Sequence, residues 1–139
     1  MAKTTSLYLP KGVNTGKVQI VNADTTTLKT LFTAGADDSN LKAIIATSDD
    51  TSTVNLRVLL TSGGTDYQLG TVRIVTLSGT DGAANNIDVL NSTAFAGLPL
   101  DANGKRYIPL KNGDVIKVAA LATVTSGKTV NVTAFGEDF

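Results

Sequence analysis

Between Asn40 and Val75 three strand-like runs, LKAIIATS, TVNLRVLLTS and DYQLGTVRIV, are separated only by the turn clusters SDDTS and SGGT. Connections this tight make the three runs an antiparallel meander. In the middle run Val54, Leu56, Val58 and Leu60 share one face, while Asn55, Arg57 and Thr61 share the other. That period of two is the mark of a strand with one buried face. Leu59 is the apolar exception on the outer side. The third run changes phase, with Tyr67 and Leu69 apolar at odd positions and Val72 and Ile74 at even ones. One extra residue in a strand shifts the phase in this way, so a β-bulge is predicted at Gly70 and the meander is expected to curve there.

The same rhythm continues on both sides. Lys17 to Val21 alternates and stops at NADTT; the run TLKTLFT then places Leu28 and Phe32 on one face, with Leu31 opposite. After Val75 the stretch TLSGTDGAANN is small and polar and is predicted to be a surface loop. From Ile87 to Leu98 the apolar residues fall at helical spacings. Asn91 and Ser92 are placed to cap a short turn that runs to Ala96, with Gly97 as its stop. Asn103-Gly104 and Asn112-Gly113 are hairpin signals of the type I′ kind, and Pro109 assigns its strand to an edge or to a strand start. Val115 to Leu121 and Val130 to Ala134 supply the last two alternating strands. Val54, Leu56, Val58, Ile116, Val118, Val130 and Val132 are expected to face one core. The strand count predicts an all-β fold, a two-sheet antiparallel β-sandwich of jelly-roll type with one short helical turn in a crossover.

At 139 residues one domain suffices, and 21 Thr with many Val, Ile and Leu favour strands over helices. The expected division is an extended N-terminal arm over 1–16 and a single sandwich over 17–139. Within the arm Leu7, Tyr8, Leu9 and Pro10 form a compact apolar group between polar and Gly-containing residues, and these four are the candidate interface residues.

Composition narrows the function classes. The chain has no Cys and no His, which removes thiolate metal sites, disulfides and every Ser-His or Cys-His nucleophile. Twelve basic and twelve acidic residues cancel without forming a block of either sign, so nucleic-acid binding through a basic patch is not expected. With no apolar leader and no stretch long enough to cross a membrane, a soluble cytosolic product without membrane contact is expected. No cofactor, metal or catalytic residue is assigned.

Short motifs are best explained as turns. Ser126 to Thr129 reads SGKT, but Ala122 stands where a phosphate-binding loop needs its first Gly, and the flanks are strands. DANG at Asp101 to Gly104 lacks the remaining calcium ligands, and the pairs Asp37/Asp38 and Asp49/Asp50 sit in turns where Asp bonds its own backbone.

The phrases TSDDTS, TSGGTDYQLGTV, GLPLDANGKRYIPLKNGD and VTSGKTVNVTAFGEDF, behind a polar arm, together resemble small virion structural proteins of tailed bacteriophages. The nearest type is the jelly-roll capsid decoration, or cement, protein. That resemblance implies a protein without enzymatic activity on the outer surface of the virion capsid. It would form homotrimers that bridge neighbouring subunits of the major capsid protein. A tail, baseplate or head-fibre component is the alternative within the same class. A carbohydrate-binding jelly-roll module is the alternative outside it, against which the absence of Trp counts.

Overall fold

The structure is a computed structural model that describes residues 10–139. It is all-β. The strands are β1 (Gly12–Val21), β2 (Lys29–Thr33), β3 (Ser39–Ser48), β4 (Val54–Ser62), β5 (Thr65–Ile74), β6 (Ile87–Asp88), β7 (Ile108–Leu110), β8 (Val115–Ala120) and β9 (Thr129–Asp138). One sheet has the order β1-β9-β3-β6, with β7 also on β3, and the other has the order β2-β8-β4-β5. Every pairing is antiparallel.

The pairs are nested along the chain. β1 pairs with β9, β2 with β8, β3 with β6 and β7, and β4 with β5. A chain that doubles back on itself and then wraps as one ribbon into two sheets is a jelly roll. The seven residues predicted to share a core all do so, and Ile20, Phe32, Leu41, Ile44 and Ile74 join them from both sheets.

Local sequence accounts for the irregularities. The ladder between β4 and β5 shifts between Val58 and Leu59, because Val58 pairs with Gly70 whereas Leu59 pairs with Gln68. Leu69 is the extra residue, so the bulge expected at the phase change is there. A second bulge separates Thr30 from Phe32, so Leu31 and Phe32 are both buried instead of facing opposite ways. The turn that closes β4 on β5 has positive φ at both Gly63 and Gly64, as a two-residue type I′ hairpin demands.

Neither Asn-Gly pair makes that turn. Only Gly104 of its pair has positive φ; its N–H bonds the Asp101 carbonyl at 3.1 Å and Asp101 N–H bonds the Lys105 carbonyl at 2.8 Å. This is a longer, bulged connection. At Asn112-Gly113 again only the Gly has positive φ, and the Asp114 N–H bonds the Lys111 carbonyl at 2.9 Å. Pro109 lies in the three-residue β7, where the missing N–H costs little at an edge. The crossover contains the expected helical turn as a 3-10 turn over Thr93–Phe95, which buries Phe95 and follows the two-residue β6.

The N-terminal boundary moves. β1 begins at Gly12 and is in register with β9 from Gly12 opposite Asp138 to Val21 opposite Thr129, so a division at residue 16 falls inside a strand. Gly16 has a structural reason to be Gly, since a Cβ there would stand 1.6 Å from the Leu31 carbonyl oxygen of β2. Together with the bond from Asn14 Nδ2 to the Thr33 carbonyl (2.9 Å), this close approach seals the β1 and β2 side of the sandwich.

Candidate interaction surface

The carboxylates come first, because they alone would offer chemistry. Asp50 is 1% exposed, and this burial was not legible in its turn-like surroundings. Its carboxylate accepts bonds from Ser52 N–H (2.8 Å), Thr125 N–H (3.0 Å) and the Thr125 hydroxyl (2.9 Å). Burial pushes its pKa up, but these bonds and the charge of Lys128 outweigh burial, and the carboxyl is held below the usual range. Asp49 does the same work next door, accepting from Thr129 N–H at 2.7 Å. The Asp50 carbonyl also accepts the Leu77 N–H at 3.1 Å, so three loops are tied together at one end of the sandwich.

The other acidic residues are engaged in turns as well. Asp38 caps Asn112 N–H at 2.8 Å, Asp37 pairs with Lys11 at 3.0 Å, and Asp101 accepts from Asn103 and Lys105 N–H. SGKT forms a turn between β8 and β9, closed by Lys128 N–H on the Thr125 carbonyl at 3.0 Å, with no helix after it to hold a phosphate. Among the described residues no group of three or more His, Cys, Asp or Glu is arranged to hold a metal.

The two outer faces differ in kind. On the four-stranded sheet Arg57, Arg73, Lys117 and Asp66 point outward, and Lys117 lies 3.7 Å from Asp66. Leu59, flanked in register by Gln68 and Lys117, is buried among them on that outer side. The five-stranded sheet presents successive rows instead: Thr15, Phe135 and Ala43; then Lys17, Thr133 and Ile45; then Gln19, Asn131 and Thr47. Phe135 is 44% exposed in the centre, with Ala43 and Ile45 half-buried beside it. Val13 is 83% exposed near the sheet edge. The charged residues of this face are Lys17, Lys42, Glu137 and Asp88. Phe135 was discernible in the sequence, since it falls out of phase with the inward Val130, Val132 and Ala134.

Of the four expected interface residues, Leu7, Tyr8 and Leu9 lie outside the described residues, and Pro10 is exposed. Pro10 forms one wall of an open groove of about 640 Å³ at the corner of this same face. Leu110, Pro109 and Phe139 supply its other apolar walls, and Asn40 and Glu137 lie between. Beside the groove Lys42, thrown outward by a bulge in β3, lies 3.7 Å from Glu137 and 5.2 Å from the Tyr107 ring centre.

Fold and surface together define a jelly-roll sandwich with an exposed aromatic and aliphatic patch on one outer face and an apolar corner groove. No protein-family model matches the chain, and no curated protein matches it. Among solved structures it is similar to a chain of the cyanophage Pam1 capsid asymmetric unit. The match has 14% identity and a TM-score of 0.46, and covers 100% of this chain and 93% of that one.

Proposed function

We propose that this chain is a structural protein of a tailed-phage virion. In this proposal it decorates the outer surface of the capsid and stabilises it by bridging neighbouring major capsid subunits, as a homotrimer and without catalysis or cofactor. The observation that carries the proposal is the outer face of the five-stranded sheet, where Phe135, Ala43 and Ile45 sit among Thr side chains, with Lys17, Lys42 and Glu137 around them. Such a face has the apolar centre and polar rim of a protein interface. The resemblance of the turn phrases to decoration proteins supplies the partner, and the apolar group Leu7 to Pro10 supplies a second contact.

The test is binding of the purified protein to mature phage heads that lack it. Replacing both Phe135 and Ile45 by Glu should weaken binding at least tenfold while the melting temperature stays near that of the unmodified protein, because both side chains point away from the core. Unchanged head binding by a folded double variant would refute the assignment of this face.

A further inference from the structure

We propose that Asn112 is a site of spontaneous modification in the folded protein, closing with the Gly113 nitrogen to a succinimide that opens to aspartate or isoaspartate. The fold protects the other Asn-Gly pair, Asn103-Gly104, from the same reaction.

By exposure and space the two pairs are alike. Both Asn and both Gly are exposed, both Gly have positive φ, and nothing lies within 4 Å of the place a Cβ would take on either Gly. Without a Cβ, Gly presents the least shielded backbone nitrogen to a preceding side chain. Each Asn N–H is held by a carboxylate, that of Asn103 by Asp101 at 2.9 Å and that of Asn112 by Asp38 at 2.8 Å.

The register of each pair in its turn separates them. The N–H that closes a β-turn belongs to the fourth residue of the turn. In the turn from Asp101 the fourth residue is Gly104, and its N–H is spent on the Asp101 carbonyl at 3.1 Å. In the turn from Lys111 the fourth residue is Asp114, whose N–H bonds the Lys111 carbonyl at 2.9 Å. Gly113 is the third residue there, and its N–H has no hydrogen-bond partner among the described residues. The reaction consumes this N–H. A base in solvent takes its proton, and the nitrogen bonds to the side-chain carbonyl carbon of Asn112. The bond from that carbon to the amide nitrogen then breaks, and ammonia leaves with a proton returned from solvent. Water adds to either ring carbonyl and opens the ring, so one water enters and one ammonia departs. At Gly104 the same step must first give up the bond to the Asp101 carbonyl.

The position gives the change a consequence. Lys111 lines the corner groove, and Asp38 and Asp114 already accept the Asn112 and Lys111 N–H groups at 2.8 and 3.1 Å. A carboxylate at position 112 adds negative charge beside these two, and isoaspartate lengthens the main chain of the turn by one carbon. The corner therefore changes charge and shape as the protein ages.

The test follows conversion at both positions by peptide mass spectrometry while the full chain is kept in mildly alkaline buffer, folded and in denaturant. In the denatured chain the two pairs should convert at similar rates, since Gly supplies the nitrogen in both. Folding should shift the ratio toward Asn112 by about threefold to tenfold, the effect of one hydrogen bond. The product at position 112 should include isoaspartate, and Asn112→Gln should remove most of the acidic form that accumulates in the folded protein. A ratio that folding leaves unchanged or shifts toward Asn103, a product that is aspartate alone, or an acidic form undiminished in Asn112→Gln would overturn the inference.

Discussion

Val58 sits at the centre of β4, fully buried, with Gly70 and Val118 opposite it on the two neighbouring strands. A carboxylate at this position would have neither water nor a partner. Val58→Asp should therefore cost more than about 4 kcal/mol, the range reserved for disrupted cores and unpaired buried charges. A thermal melt equal to that of the unmodified protein would contradict the strand assignment. Asp50 makes the opposite case, a buried charge that is fully satisfied. Its lowered pKa means that it stabilises the fold above the unfolded value, about 3.9, and that this contribution disappears as pH falls through the folded pKa. Asp24, lowered by the Val21 N–H and then by Lys29, has the same sign. So does Asp101, lowered chiefly by the Lys105 N–H. The melting temperature should be nearly flat from pH 7 to 5 and should drop below about pH 4. Asp50→Asn places an amide donor against either the Thr125 N–H or the Ser52 N–H. It should lose roughly 1–3 kcal/mol at pH 7 and flatten the acid limb of the profile; an unchanged acid limb would show that Asp50 does not carry it.

At the level of elements, the strands that could be read from sequence are those with one buried face. Val54, Leu56 and Val58 alternate cleanly because β4 is solvated on its outer side, and Gly70 betrayed its bulge because the phase changed across it. Where the backbone departs from a period of two without a Gly to mark it, the pattern misleads. The bulge before Phe32 turns two adjacent apolar residues inward, and nothing in TLKTLFT distinguishes that from ordinary alternation. The Asn-Gly pairs misled for a related reason. Their turns are set by Asp101 and Asp114, which bond backbone N–H groups across the connection and hold Asn103 and Asn112 out of the left-handed region. The candidate surface was only partly legible: the apolar arm stands out in the sequence, whereas the Phe135 face and the groove exist only once β1, β9, β3 and β7 are laid side by side. The start of β1 at Gly12 also separates two deletions. Removing 1–9 should leave thermal melting within about 2 °C of the full chain, while removing 1–16 takes half of β1 from its ladder with β9 and should lower it by roughly 10 °C or more. Equal melting of the two truncations would mean that Gly12 to Gly16 contribute nothing to the sandwich.

For the molecule as a whole, nested pairing brings the first described residues and Phe139 to one corner, next to the groove. Pro10, the groove and the Phe135 face therefore lie on one side, and the four-stranded sheet lies on the other. Threefold symmetry would let identical subunits present that side together, so that individually weak contacts to a shell add through avidity. Light scattering at micromolar concentration should accordingly give the mass of a trimer. A stable monomer that still saturates heads would rule the trimer out. The most direct test of the central claim is quantitative mass spectrometry of purified virions, with heads and tails separated and copy number set against the major capsid protein. The proposal predicts this chain in the head fraction, in a fixed ratio to the major capsid protein and in multiples of three per particle. Finding it in the tail fraction, or in infected cells but not in virions, would contradict the claim.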